Sequence, residues 1–128
     1  MANFVFPATA GEVGKVLERE TGYMAFTQVP RTLPDRFIKV ARLGGEYLNP
    51  FTESVNIFVE VWNKNKVDAE QVAQQCRGLV FGMKGYQLAG YKVHNVEGDG
   101  GISDEPDPPT ATPRFTFTAT LVIKGKRA

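Results

Sequence analysis

The longest clean alternation in the chain runs from Glu53 to Trp62. Val55, Ile57, Val59 and Val61 fall on one side and Ser54, Asn56, Phe58, Glu60 and Trp62 on the other, the period-two spacing of a strand with one β-branched core face. The second face is mixed, and its two large aromatics are more than solvation requires. They fit beneath a helix, and they fit a subunit contact equally well. Directly afterwards the spacing changes. Ala69, Val72, Ala73, Cys76, Leu79, Val80 and Met83 recur at three and four residues, so a helix lays one apolar stripe on the sheet. Asp68 is placed to accept from first-turn amides, with Gln71 three residues on as in a capping box. This strand and helix, Thr52 to Met83, form the centre of the expected fold.

Earlier in the chain, Thr9-Ala10-Gly11-Glu12 repeats the capping pattern, and Val13, Val16 and Leu17 mark a thin amphipathic helix stopping at Gly22. Tyr23 to Val29 reads as a strand closed by Pro30, and Phe37 to Leu43 as a second strand ended by Gly44-Gly45. Residues 46 to 52, with Tyr47, Leu48, Pro50 and Phe51, read as a loop rich in apolar groups, packed on the domain or held for a neighbour. After the central helix, Gly82, Gly85 and Gly90 break the period and Tyr91 to Val96 resumes as a strand.

Glu97 to Thr112 lacks periodicity and carries Glu97, Asp99, Asp104, Glu105 and Asp107 among prolines and glycines, the composition of a mobile or partner-ordered loop. Pro113 to Lys124 is the last strand, with Phe115, Phe117, Ala119, Leu121 and Ile123 on one face and Thr116, Thr118, Thr120 and Val122 on the other. At about 3.3 Å per residue it is roughly 40 Å long, against a radius of gyration of about 14 Å for a globule of this size. It crosses the whole domain or projects from it. Its threonine-rich face and edges need cover, which regular contact with another subunit supplies economically. The expected architecture is α+β, in the order α-β-β-β-α-β-β, with two helices on one face of a mostly antiparallel sheet.

With 128 residues and 42% hydrophobic side chains, the chain fits a single domain, 1–128, with a core that needs neither disulfide nor metal. Fifteen basic and 14 acidic side chains leave a net charge of +1, so a surface dominated by phosphate contacts is not the expectation. The chain has one cysteine, no apolar run of membrane-spanning length, and no basic segment followed by an apolar one at its start. We therefore expect a reducing compartment, no membrane span and no signal peptide.

Candidate chemistry is sparse. Cys76 sits mid-helix on the apolar stripe, where it acts as a small hydrophobe rather than as the nucleophile of a pair with His94, the only histidine. No two ligands stand at a spacing that preassembles a metal site. Gly98-Asp99-Gly100-Gly101 lacks the Lys-Ser/Thr of a phosphate loop and sits among carboxylates, so it reads as a turn. The acidic segment reads as a solvated loop, as a partner-contacting or channel-facing one, or as a divalent-cation site, although its spacing is not that of an EF-hand. Lys124, Lys126 and Arg127 form one short basic cluster, with Arg31, Arg36, Lys39 and Arg42 spread elsewhere. They read as exposed charges on a solvated face, with a nucleic-acid patch as the alternative. No cofactor, no metal and no enzymatic activity are expected, and the apolar loop and acidic loop left over once the core is filled point to assembly.

Val29-Pro30, Leu33-Pro34-Asp35-Arg36-Phe37, Arg42-x-Gly44-Gly45, Val59-Glu60-Val61-Trp62, Asp68-Ala69-Glu70, Asp107-Pro108 and Pro113-Arg114-Phe115-Thr116-Phe117 stand in an order and spacing that resemble the tail terminator proteins of long-tailed phages, above all those of actinobacteria. The likeness covers roughly residues 24 to 124. It implies a virion protein, present in the host cytoplasm during assembly and then at the head-proximal end of the tail. Such a protein forms a hexameric ring on the last ring of major tail tube protein, stops polymerisation at the length set by the tape measure protein, and offers a surface to the head-side connector protein. Genomic DNA passes through the lumen without being read.

On that reading Phe58, Trp62, Thr116, Thr118 and Thr120 are the candidates for the sheet surface near the subunit contact. Tyr47, Leu48 and Phe51, with Asp99, Asp104, Glu105 and Asp107, are the candidates for axial docking, and the carboxylates could equally line the lumen. The alternatives are another head-tail connector or completion protein, or a monomeric or dimeric module binding a peptide or small ligand at an exposed strand edge.

Overall fold

A computed structural model describes residues 3–128. The elements, in chain order, are β1 (Phe4–Val5), α1 (Thr9–Thr21), β2 (Ala25–Phe26), β3 (Arg36–Asn49), β4 (Thr52–Asn63), α2 (Lys66–Phe81), β5 (Gln87–Leu88), β6 (Tyr91–Glu97), β7 (Ser103–Asp104), β8 (Arg114–Lys124) and β9 (Lys126–Arg127). The sheet order is β2-β3-β4-β8-β6-β5, with β7 pairing β8 beside β6, and β1 pairs β9 separately. All these pairs are antiparallel except β2 with β3. The expected α+β architecture is the one observed. The shorter strands β1, β5, β7 and β9 are pieces too brief to carry a sequence period.

Alternation along β4 sorts its side chains as expected. Val55, Ile57, Val59 and Val61 are fully buried in one cluster with Val13 and Leu17 of α1, Ala69, Ala73, Cys76 and Val80 of α2, and Phe117, Ala119 and Leu121 of β8. Burying each larger aliphatic contributes about 1.5–3 kcal/mol, so this one layer carries much of the stability. Val72 and Leu79 of the apolar stripe lie half-buried at its margin.

Helix termini differ from the sequence reading in detail. The cap of α2 is Asn65, whose Oδ1 accepts from the Asp68 amide at 3.0 Å. Asp68 itself lies in the first turn, where its charge suits the positive end of the helix. Helix α1 has no side-chain cap, and the Thr9 hydroxyl instead donates to the Pro7 carbonyl. At its other end Gly22 adopts the left-handed conformation, as expected, and its amide donates to the Glu18 carbonyl at 2.9 Å.

Three segments depart from expectation. The strand read over Tyr23 to Val29 shrinks to Ala25–Phe26. Gly44-Gly45 does not end the second strand. It forms a bulge, with a register shift between Arg42 and Gly44, and β3 runs on to Asn49 over 14 residues. Gly45 has φ +148°, and a Cβ there would overlap the Ser54 carbonyl oxygen, so only glycine lets the two strands pass this closely. The apolar segment 46–52 is therefore the end of a long hairpin. Asn49 pairs with Thr52 around Pro50-Phe51, and the Phe51 amide donates to Asn49 Oδ1, a side-chain-braced turn.

Residues 97–112 are the third departure. Ser103 and Asp104 pair with Thr116 and Phe115, the Glu105 amide donates to the Arg114 carbonyl at 2.8 Å, and the Asp107 amide donates to the Thr112 carbonyl at 3.0 Å. The second half of the acidic segment is a hairpin with β8. The Ala111 amide also donates to the Asp107 carbonyl at 2.7 Å, so the segment is tied down by backbone bonds within the chain, which composition could not disclose.

Candidate assembly surface

The second face of the sheet is the one the helices leave open. Across it Phe37, Trp62 and Arg114 stand in register, as do Lys39, Glu60 and Thr116, then Ala41, Phe58 and Thr118. The five residues Phe58, Trp62, Thr116, Thr118 and Thr120 thus share one face. Their availability differs. Trp62 is stacked on Phe37 with centroids 4.8 Å apart, and Phe26 meets the edge of Phe37 at 5.9 Å. The Arg114 guanidinium lies 5.4 Å from the Trp62 ring centroid. Trp62 and Thr116 are buried by this chain's own side chains, and no helix covers them, contrary to the first of the two sequence readings. Phe58 and Thr120 are half-buried and Thr118 is exposed, so the accessible part of the proposed contact is Phe58, Thr118 and Thr120.

Beneath this row lies a charged group that pattern reading passed over. Glu60 is only 2% exposed. One carboxylate oxygen accepts from Arg114 Nη1 at 2.9 Å and the other meets Lys39 Nζ at 3.1 Å. A buried carboxylate between two cations is tolerable because both oxygens are engaged. The signal was present as an acidic residue between Val59 and Val61, but its partners come from two other strands and need the register to be found. Further along the face, Thr120 Oγ1 donates to Asn56 Oδ1 at 2.7 Å. Here an open concavity of about 380 Å³ is lined by Glu46, Ser54, Asn56 and Glu97 among others.

At the edge of the sheet the pairing is incomplete. β2 pairs only Ala25 with Ile38 and Phe26 with Lys39. Among the described residues no strand lies beside β3 from Val40 to Asn49 on its outer side. Leu43, Tyr47, Leu48 and Phe51 stand 59%, 72%, 51% and 46% exposed along this arm. The uncovered edge is therefore that of β3. The last strand, from which sequence reasoning inferred a need for a subunit, is flanked on both sides within the chain, by β4 and by β6 and β7.

The axial candidates fall at two ends. Tyr47, Leu48 and Phe51 sit at the hairpin end, where Phe6 packs on Tyr47 and Phe4 on Phe51, each at 5.8 Å between centroids. Asp104, Glu105 and Asp107 sit beside Arg114, where β4 reaches Trp62. Ten residues of β4 separate Thr52 from Trp62, about 33 Å. Asp104 forms an ion pair with Lys66 at 2.8 Å, and the hydrogen bond between them holds the lysine pKa above its ordinary value. Asp107 accepts from the Thr110 hydroxyl at 2.7 Å. Asp99 lies apart, closing a turn through the Gly101 amide near the C-terminal end of α2. The carboxylates do not converge.

Cys76 is fully buried, and desolvation pushes its thiol up to about 12. His94 is exposed on β6. Among the described residues no group of three or more His, Cys, Asp or Glu side chains gathers as metal ligands, and no helix is long and apolar enough to cross a membrane. Compared with protein-family models and with curated protein sequences, the chain matches none of them.

Proposed function

We propose that this chain is a structural virion protein of the phage tail-terminator kind. Its copies join side by side into a ring that caps the head-proximal end of the tail tube, stops tube growth and receives the head-side connector. The observation that carries the reading is the outer edge of β3 from Val40 to Asn49, beside which no strand lies among the described residues, flanked by exposed Leu43, Tyr47 and Leu48. An uncovered edge of this length with apolar side chains recruits another chain. A ring needs a patch that meets a different patch on the next copy, and the open face with Phe58 and Thr118 offers a second surface within the same subunit. The ordered motifs from Val29-Pro30 to Pro113-Arg114-Phe115 supply the family likeness. The hairpin end and the Asp104 to Asp107 end lie at opposite ends of the long strands, as an axial connector between two different partners requires.

Electron microscopy of tails assembled with and without the chain tests this. Loss of a terminator gives overlong tubes without heads, and tails of normal length joined to heads would overturn the reading. The same β3 edge also suits strand addition by an extended peptide in a monomeric or dimeric module. Light scattering of the purified chain in the presence of tube ends separates the two: ring-sized assemblies on one reading, monomer or dimer only on the other.

A further inference from the structure

We propose that the end of the molecule bearing Lys92, Lys124, Lys126 and Arg127 is a contact site for the phosphate backbone of duplex nucleic acid, taken without regard to sequence. Four segments meet there: β1, the β3–β4 turn, the start of β6, and the β8–β9 corner. Each cation of the corner rests on a ring from a different segment. Lys124 Nζ lies 5.5 Å from the Phe51 centroid, Lys126 Nζ 4.6 Å from that of Tyr91, and the Arg127 guanidinium 5.8 Å from that of Phe4. Phe51 and Phe4 are themselves 5.8 Å apart, so Lys124 and Arg127 cap the two sides of one aromatic pair. Lys92 is exposed next to Tyr91.

Elsewhere Lys15, Arg19, Lys39, Arg42, Lys64, Lys66 and Arg114 meet carboxylates, and among the described residues the cations that do not, Arg31, Arg36, Arg77 and Lys84, are scattered rather than gathered at one corner. Among the described residues, none of the four cations at this end lies in an ion pair. Lys124, Lys126 and Arg127 are held in place by rings, and Lys124 also by donating to Thr52 Oγ1 at 3.1 Å, rather than neutralised, so little side-chain freedom remains for them to lose on binding. A guanidinium fork among ammonium point charges suits phosphate oxygens. A duplex, with one charge per about 1.7 Å of axis, rewards even a few such contacts through counterion release. The overall charge of +1 is no obstacle, because the excess is local. The site is independent of whether copies form a ring.

Fluorescence anisotropy of a labelled mixed-sequence duplex, titrated with the full chain at several salt concentrations, tests the site. Four phosphate contacts give a log–log salt slope of about −3.6. K126Q/R127Q should flatten the slope by about two and K92Q by about one. R31Q/R77Q, which removes exposed cations outside the patch, should leave it unchanged. K92Q leaves the β1–β9 pairing untouched, so its result stands even if the double variant fails to fold. An unchanged slope in K126Q/R127Q and K92Q, or an equal loss in R31Q/R77Q, overturns the proposal. So does competition by poly-glutamate as effective per charge as by unlabelled duplex, which would assign the patch to an acidic protein surface.

Discussion

Trp62 lies nearly flat on Phe37, with 4.8 Å between centroids and 24° between planes, yet its indole Nε1 is buried without a hydrogen-bond partner. Its contribution is therefore packing, and the N–H adds nothing. Trp62→Phe should lose less than about 1.5 kcal/mol, in the range of near-isosteric core exchanges. Trp62→Ala should lose about 3–5 kcal/mol. Urea denaturation of both variants checks the contrast, and an equal loss in the two would mean that a phenyl ring restores none of the packing.

Glu60 holds Lys39 and Arg114 together under the open face. Removing one partner of a buried pair costs about 3–5 kcal/mol. The two cations keep some contact with solvent, with side chains 24% and 19% exposed, so Glu60→Ala should cost less than that, about 2–3 kcal/mol after allowance for their rehydration. Glu60→Gln, which keeps an acceptor, should cost less again. Denaturant midpoints of the two variants decide it.

Gly45→Ala places a methyl group against the Ser54 carbonyl, whereas Gly44→Ala meets open space at a similar φ of +142°. Both strain the backbone, at about 1–3 kcal/mol, and only the first also forces β3 away from β4. Amide hydrogen exchange across residues 46–53 should rise sharply in Gly45→Ala and modestly in Gly44→Ala. Equal protection in the two would remove the close approach as the reason for glycine at 45.

Cys76 is sealed between α2 and the sheet, and its thiol is pushed up to about 12 by desolvation. The unfolded thiol ionises near pH 8.5, so the folded state binds the extra proton between those values. Stability should thus be unaffected by this group below about pH 8.5 and fall as the pH climbs from there toward 12. A thiol reagent at neutral pH should label Cys76 at the rate of unfolding only, and a Cys76→Ala variant should lose this part of the alkaline decline.

Much of this arrangement was legible in the residues. Val55 to Val61 and the Ala69 to Met83 stripe announced the central strand and helix because local period and burial agree there. What stayed hidden depended on partners distant in sequence. Gly44-Gly45 carries the signal of a strand end, and only the passage of Ser54 beside it makes a bulge. Asp104 to Asp107 carries the composition of a free loop, and only Arg114 to Thr116 turns it into a strand. The candidate assembly surface was half legible. Phe58 and Trp62 were rightly placed on one face, but whether Trp62 is free or covered depends on Phe37 and Arg114. The unpaired edge belongs to β3 and not to the last strand, since sheet order does not follow chain order.

β8 occupies the middle of the sheet although it is among the last elements of the chain, and Thr52 waits for Lys124 across 72 residues. While the polypeptide is still being made, the inner side of β4 and half the bed of α2 have nothing to close them. Completion must therefore follow release of residues 114–124 from the ribosome, and a product cut short before Arg114 has no sheet centre to settle on.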